Sequence, residues 1–226
     1  MKIAIIQAAP VYYDLEASLE KAIELLERAA EQGASLAVFG ETWLSGYPAW
    51  LDHYPGVTLW GAKETQKAFE LMYQSSLEIG SSAEKRLRAA VGKAEIAVVM
   101  GVNEVQRRGG AQGTIFNSLL FYGPDGQLLN HHRKLTPTYT EKLLYGIGDG
   151  QGLQSIQLGS VKVGGLICWE HWMPLSRQTM HMAGEDIHIA VWPTVHEVHQ
   201  MASLHYAFEG KCYVCLLYTS PSPRDS

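Results

Sequence analysis

The chain has 226 residues, which is enough for one sizeable hydrophobic core, and we expect a single domain. Its formal net charge of −5 is mild and its 18 basic side chains are scattered, so neither a nucleic-acid surface nor an anionic-membrane surface is expected. No segment approaches the ~20 apolar residues of a membrane span, which leaves small molecules or further copies of the chain as the expected partners.

The N-terminal part of the chain predicts alternating strands and helices. Residues 2–8 are rich in Ile and Ala and predict a strand in the middle of a sheet. Asp14 is a candidate N-cap for an amphipathic helix that ends at Gly33, and residues 34–39 predict the next strand. Glu41 follows that strand directly, so a carboxylate stands at the strand's carboxyl end.

An aromatic-rich segment, residues 42–54, comes next and is interrupted by Gly46 and Pro48, which predicts a loop. This loop is either a pocket wall or a hydrophobic lid on the core, and the sequence favours neither. Helices are predicted over residues 62–77 and 83–93.

A hairpin is predicted in the middle of the chain. After a strand over residues 96–105, the Gly-Pro-Asp-Gly segment at 123–126 separates two strand-like runs, 114–122 and 127–133. Gly and Asp tolerate the positive φ angles of tight turns, so these runs should pair antiparallel. The second run ends next to Lys134, which brings an ammonium group to a strand end.

Cys168 ends the apolar run 161–167, which predicts a buried strand. Pro174 suits the first turn of a following helix, so the cysteine is expected in a strand-to-helix elbow. Helix N-termini and cations lower a thiol pKa, and the thiolate is the nucleophile. The commoner fate of such a cysteine is a buried, inert side chain. A strand over 186–192, a helix over 198–209 and the start of a strand over 211–217 follow.

Three chemically active side chains therefore stand at strand ends: Glu41, Lys134 and Cys168. Ligands of open α/β sheets bind outside the carboxyl ends of the strands, where residues distant in sequence converge. A base, a cation and a nucleophile suit acyl chemistry through a covalent intermediate. The residue types alone are only moderately specific for this chemistry.

The segments FGETWLSGYP, HHRKLTPTYTEKLLYGIGDG and GGLICWEHWMPL resemble, in this order, the signature blocks of the nitrilase branch of the carbon-nitrogen hydrolase superfamily. The resemblance covers residues 1–214. It implies a four-layer αββα sandwich and a catalytic triad of Glu41, Lys134 and Cys168. It also implies that Glu141 is a second glutamate that orients the site, and that neither a metal nor an organic cofactor is needed.

The residues of two motifs imply an activity. CWE after the nucleophile and RKLTPT are more similar to nitrilases than to amidases, so hydrolysis of a small organic nitrile to an acid and ammonia is expected. An amidase with the same triad and a catalytically silent binding or assembly protein remain as alternatives. The resemblance also places five residues around the substrate: Tyr47, Thr138, Tyr145, Trp169 and Pro193. Core packing is their alternative role, and it is favoured for Tyr145. His196 is a further candidate, for a hydrogen bond near the substrate site, and an ordinary loop position is its alternative.

A metal site is a further competing interpretation. His196, Glu197, His199 and His205 are possible ligands, but HEVH is not the H-E-x-x-H helical pattern. Cys212 and Cys215 would point to opposite faces of a strand, which disfavours shared ligation. No metal is therefore expected.

The C-terminal segment departs from the resemblance. Residues 215–226 are expected to be a non-family tail, disordered or artefactual, so the sandwich should be C-terminally incomplete. A complete chain is expected to form a homo-oligomer. The N-terminal apolar run is too short for a signal peptide, and together with three cysteines this favours a reducing cytoplasm.

Overall fold

The computed structural model describes residues 1–219. The strands of this part are β1 (Ile3–Ile6), β2 (Leu36–Phe39), β3 (Ala97–Val105), β4 (Ile115–Tyr122), β5 (Leu128–Arg133), β6 (Ile156–Leu158), β7 (Val161–Ile167), β8 (Ile187–Trp192) and β9 (Tyr213–Tyr218). The helices are α1 (Leu15–Glu31), α2 (Trp50–His53), α3 (Lys63–Ser75), α4 (Ser82–Ala94), α5 (Pro174–Met182) and α6 (Glu197–Gly210), with 3-10 turns at Tyr139–Leu143 and Cys168–Trp172. Within the described range, each helix is too short or too polar to cross a bilayer.

Two sheets organise the strands. The first has the order β1-β2-β3-β4-β5, with parallel pairing from β1 to β3 and antiparallel pairing from β3 to β5. The second has the order β6-β7-β8-β9, in which only the β6–β7 pair is antiparallel. The predicted hairpin around residues 123–126 is confirmed as the β4–β5 connection.

The sheets pack face to face, and helices cover their outer faces. Apolar side chains of β2 and β3, such as Val38 and Val99, share one buried cluster with those of β7 and β8. Leu19 and Leu26 of α1 lie in a cluster with the opposite face of the first sheet, together with side chains of α4. On the second sheet, Leu166 packs against side chains of α5 and α6. The four-layer αββα sandwich is thereby confirmed.

The capping residues correctly predicted where α1 begins and ends. Asp14 is its N-cap and accepts a hydrogen bond from the Ala17 backbone N–H at 2.9 Å. Gly33 takes a positive φ of 76° just after the helix, a conformation that costs glycine little. The helix therefore begins and ends where its capping residues predict.

The predicted position of the first strand is wrong. Among the described strands, β1 pairs only with β2, so it lies at the edge of its sheet rather than in the middle. Ile5 points outward and is 49% exposed. An Ile-rich strand needs one apolar face against the core, and this requirement is met at an edge as well as at the centre.

The predicted boundary of the C-terminal tail also differs from the structure. β9 continues through Cys215 to Tyr218 and pairs in parallel with β8, with Tyr218 opposite Trp192. Residues 215–218 therefore belong to the second sheet, because their alternating apolar side chains fit its inner face. The remainder of the predicted tail, residues 220–226, lies outside the described residues.

Candidate active site

Three strand ends meet at one edge of the sandwich. Glu41 follows β2, Lys134 follows β5, and Cys168 follows β7. All three side chains are buried. The topology therefore brings together the base, cation and nucleophile that the sequence separates by 127 positions from first to last.

The turn that carries Glu41 is tightly fixed. Thr42 adopts a left-handed φ of 48°, and β3 passes so close that a Cβ on Gly101 would lie 2.0 Å from the Gly40 carbonyl oxygen. The Thr219 hydroxyl donates to the Glu41 backbone carbonyl. The carboxylate thus projects from a backbone with little freedom to move.

Lys134 lies between two carboxylates. Its Nζ is 3.1 Å from Glu41 Oε1 and 2.8 Å from Glu141 Oε2. Glu141 is held from two other sides, because the Tyr47 hydroxyl donates to Oε1 at 3.1 Å and the Thr138 backbone N–H donates to Oε2 at 2.7 Å. Both oxygens of Glu141 are therefore occupied, which suits an orienting role.

Glu41 differs from Glu141 in one respect. Its Oε1 accepts from Lys134 and, at 2.7 Å, from the Asn117 amide. Its Oε2 is buried and has no hydrogen-bond partner within residues 1–219. This oxygen is available to accept a proton from a group that enters the site. Asn117 lies on β4, and nothing in its sequence context marks it as a residue of the site.

The charges of this cluster do not balance. Two carboxylates face one ammonium group, all of them buried. Burial and the Glu141 charge raise the pKa of Glu41 to about 7, against the opposing effects of Lys134 and Asn117. Burial acts to lower the pKa of Lys134, but the surrounding anions outweigh it and raise that pKa, so the ammonium stays charged. The site thus contains a base suited to neutral pH beside a permanent cation.

Cys168 occupies a strained elbow at the end of β7. Its φ of 53° lies in the left-handed region, which is costly for a residue with a side chain. Burial raises the pKa of its thiol above the usual value, although Lys134 and a hydrogen bond from the Trp169 backbone N–H act to lower it. The resting thiol therefore keeps its proton and needs a base to remove it.

Glu170 is a structural residue that the sequence analysis missed. Its carboxylate accepts from the Ile167 N–H at 2.7 Å and from the Leu135 N–H at 2.8 Å, so it joins the residues that flank Cys168 and Lys134. His132 Nε2 donates to it at 2.9 Å. Burial alone would raise the pKa of Glu170, but these three donors hold it below the usual value. An acidic residue two positions after the nucleophile was the available signal.

A comparison of the sequence with known protein families agrees with this arrangement of Glu41, Lys134 and Cys168. Residues 2–218 match the family described as carbon-nitrogen hydrolase. The chain belongs to this family. The resemblance drawn from the three motifs is thereby confirmed, and the family match extends to the end of β9 rather than to Val214.

Relatives of this carbon-nitrogen hydrolase include proteins named as nitrilases. It is 35% identical over 225 residues to the aliphatic nitrilase of Rhodococcus rhodochrous, covering 95% of this chain and 56% of that protein. It is 34% identical to a nitrilase of Pseudomonas syringae pv. syringae, covering 99% of this chain and 67% of that protein. The chain thus spans little more than half of the first of these relatives.

Solved structures with the same fold include an amidase. A double mutant of the amidase from Nesterenkonia sp. AN1 in complex with acrylamide has a TM-score of 0.70 and 17% sequence identity. The match covers 96% of this chain and 76% of that one. At this identity the similarity shows the fold alone.

The residues expected to line the substrate pocket divide into two groups. Tyr47 and Thr138 lie against Glu141 and therefore belong to the polar cluster of the hydrolase site. Tyr145 is buried in an apolar cluster, and its hydroxyl donates to Asn103 Oδ1 at 2.6 Å. Burial, together with the nearby charges of Glu141 and Glu41, raises the pKa of that hydroxyl, so this position is compatible with core packing and with a place beside the site.

The other three expected pocket residues lie just beyond the carboxyl ends of β7 and β8. The Trp169 side chain is 48% exposed and packs edge-to-face on Trp172, 4.9 Å away between ring centroids, beside α6. Pro193 follows the end of β8 and is partly exposed. His196 is exposed at the start of α6, where its backbone N–H donates to His199 Nδ1 at 2.7 Å. Within residues 1–219, no group of three or more His, Cys, Asp or Glu side chains could hold a metal ion.

Proposed function

We propose that this carbon-nitrogen hydrolase is a nitrilase, which converts a small organic nitrile and two water molecules into a carboxylic acid and ammonia. One observation carries this proposal: Cys168 is a buried thiol on a strained elbow, close enough to Lys134 and Glu41 for both charges to act on its pKa, and Glu41 has one oxygen without a hydrogen-bond partner. This combination suits attack by sulfur on an electrophilic carbon that is bonded to nitrogen.

The first half of the reaction forms a thioimidate. Glu41 accepts the thiol proton of Cys168 at its free Oε2, and the sulfur bonds to the nitrile carbon while one C–N π bond breaks. Negative charge develops on the nitrogen, where the Lys134 ammonium stabilises it. Glu41 then returns the proton to that nitrogen, which leaves a neutral thioimidate on the cysteine.

The second half consumes both waters. The first water adds to the thioimidate carbon with Glu41 as base, the nitrogen gains protons, and ammonia leaves, so a thioester remains on Cys168. The second water, again deprotonated by Glu41, attacks the thioester carbon. The C–S bond breaks, the acid is released and the thiol regains its proton.

Relatives favour a nitrile over an amide as substrate. The proteins named as nitrilases share 34–35% of their residues with this chain over nearly its whole length. The amidase structures share its fold at 17–18% identity. The CWE and RKLTPT segments support the same choice, since they resemble those of nitrilases.

We expect the chain to release ammonia from a nitrile at least about tenfold faster, in kcat/KM, than from the amide of the same carbon skeleton. The measurement is ammonia release from a panel of matched aliphatic, aryl and arylacetyl nitriles and amides. Equal or faster amide hydrolysis would make the protein an amidase. A folded chain that hydrolyses neither class would support the binding or assembly alternative.

The pH dependence of kcat/KM should report Glu41. Because the ionised carboxylate is the base and its pKa is raised to about 7, activity should fall as pH drops below 7 and level off above it. The Asn117→Leu variant removes a hydrogen bond that stabilises the carboxylate, so its acid limb should move to higher pH. Initial rates across the neutral range measure the acid limb in the wild type and in the variant. A wild-type acid limb near the ordinary glutamate pKa would contradict the assignment of Glu41 as the base.

Assembly of several copies is part of this proposal, as the family resemblance implies. Its test is the molecular mass in solution at several protein concentrations. A monomer at all concentrations would remove it without affecting the catalytic assignment.

A further inference from the structure

A second buried polar group lies on the far side of the Cys168 elbow, and the proposed reaction does not use it. It consists of His171, Glu185, His188 and Tyr206, all of them buried. They come from the turn after β7, the entry to β8, β8 itself and α6. Buried titratable side chains are costly unless they are paired, so their role needs a specific explanation.

The members of this group form a continuous line of contacts from the Cys168 backbone. His171 Nδ1 lies 2.7 Å from the Cys168 carbonyl oxygen, and His171 Nε2 lies 3.0 Å from His188 Nε2. His188 Nδ1 lies 2.9 Å from Glu185 Oε2. The Tyr206 hydroxyl donates to the other oxygen of Glu185. We call this line the histidine relay.

Counting protons fixes the direction of the hydrogen bonds from Cys168 to His188. A carbonyl oxygen can only accept, so Nδ1 of His171 carries a proton. Burial and the nearby His188 hold the pKa of His171 well below its usual value, so this ring is neutral and its Nε2 accepts. His188 Nε2 must then donate. Its Nδ1 faces a carboxyl oxygen, and one further proton must lie between these two atoms.

The surroundings hold the relay in place. Gly164 is the β7 residue opposite His188, and a Cβ at Gly164 would lie 2.2 Å from Glu185 Oε2. The missing side chain therefore provides the space for the carboxylate. His171 stacks on the Trp192 ring, with 4.7 Å between centroids and 26° between planes. The ring that contacts the Cys168 carbonyl thus has little freedom to turn.

Charged and titratable neighbours approach the relay from three sides. Arg177 of α5 donates to the His171 carbonyl oxygen at 3.2 Å, and the His181 ring packs on Tyr206 at 4.5 Å. Cys212, just before β9, is close enough to Tyr206 to raise its pKa. On the active-site side, Lys134 also disfavours a charge on His171.

The orientation of the Cys168 carbonyl determines where the Trp169 N–H points. The peptide unit between Cys168 and Trp169 is planar and trans, so its C=O and N–H point in opposite directions. When His171 holds the carbonyl oxygen on the relay side, the Trp169 N–H points to the thiol side. That N–H is the backbone donor that lowers the pKa of Cys168.

We propose that Glu185, His188 and His171 are positioning residues, whose hydrogen-bonded line orients the Cys168–Trp169 peptide so that its N–H stabilises the Cys168 thiolate. The role of Cys168 as nucleophile rests on the proposed function. The relay itself touches neither substrate nor reacting sulfur. Its effect should appear in the intrinsic reactivity of the thiol, before any nitrile is bound.

The decisive comparison is His171→Phe against His171→Asn in the full chain. Phe keeps the ring that stacks on Trp192 but cannot donate to the Cys168 carbonyl. Asn loses the ring, and its Nδ2 lies where His Nδ1 lies, so it keeps the donor. The readout is the rate of alkylation of Cys168 by iodoacetamide at neutral pH, followed by mass spectrometry of the peptide that contains it. Thermal unfolding of each variant is measured alongside.

We expect His171→Phe to be the less reactive of the two variants and His171→Asn to be the less stable. Alkylation of Cys168 should slow about tenfold in His171→Phe and stay within about threefold of the wild type in His171→Asn. Thermal stability should be lower in the Asn variant, which leaves a cavity. Wild-type alkylation in the Phe variant would overturn the proposal, and so would equal slowing in both variants.

A second pair keeps the test available if His171→Phe does not fold. In Glu185→Gln the amide can donate to His188 Nδ1 and accept from Tyr206, so alkylation should stay near the wild-type rate; Glu185→Leu should slow it. Equal rates in the Leu variant and the wild type would reject the relay. The alkylation readout is independent of nitrile hydrolysis, so a chain with normal alkylation and no nitrilase activity would contradict only the proposed function.

Discussion

Replacing Cys168 with alanine is expected to lower nitrile hydrolysis by about 10⁴-fold or more, because no covalent intermediate can form without the sulfur. The fold should remain, since the substitution removes one buried heavy atom at a cost of about 1 kcal/mol. The measurement combines ammonia release with far-UV circular dichroism and thermal unfolding of the same samples.

Cys215→Ala is a closely matched control. Cys215 and Cys168 are both 8% exposed and belong to the same apolar cluster between the sheets. The two substitutions remove the same atom from similar surroundings, so they should destabilise the protein to a similar extent. Only the Cys168 variant should lose activity. Equal loss in both variants, or substantial activity in a folded Cys168→Ala protein, would remove the nucleophile assignment.

Local signals were sufficient for the parts of the site that end a strand. Apolar runs that end next to Glu41 and at Cys168 mark two strand ends, and Lys134 follows the second strand of the hairpin. The hairpin residues fixed the antiparallel return that delivers Lys134. Since parallel sheets place their carboxyl ends together, convergence of these side chains was predictable in outline.

Long-range contacts were not predictable in the same way. Asn117 is an ordinary polar residue in sequence, and the position of Glu170 in CWE does not tell which groups it binds. Their roles arise from pairing with groups 76 and 35 positions away. The edge position of β1 depends on which strands flank it, which composition does not encode. Trp169 is exposed directly after a left-handed turn at Cys168, and the strand pattern revealed neither feature.

The buried charge cluster shows a trade between stability and catalysis. Removing charged groups from water costs several kcal/mol for each ion, and two carboxylates near one ammonium are only partly compensated. Burial of the carboxylate, together with the nearby charge of Glu141, raises the pKa of Glu41 to about 7. The fold therefore maintains a base and a cation in fixed positions before substrate arrives, which lowers the reorganisation needed during the reaction.

Glu41→Gln is expected to lower kcat by about 10³-fold, within the range for loss of a general base. The substitution preserves shape, because the Gln oxygen can still accept from Asn117 and Lys134, whereas an amide nitrogen replaces the free Oε2 and cannot take the thiol proton. The acid limb of the pH profile should disappear from the remaining activity. Steady-state kinetics across the neutral range measure both effects.

Glu141→Gln separates the chemistry from the general effect of removing a charge. Both variants lose one carboxylate next to Lys134, at 3.1 Å for Glu41 Oε1 and 2.8 Å for Glu141 Oε2. Glu141 has no free oxygen to take the thiol proton, so its substitution should cost only about tenfold, through an amide nitrogen that repels one of the donors that Glu141 binds and loosens the position of the lysine. The acid limb should persist and move to lower pH, because the Glu141 charge no longer raises the pKa of Glu41. If the two variants lose activity equally and keep the same pH profile, the base must be a group other than Glu41, and charge balance around Lys134 would explain both losses.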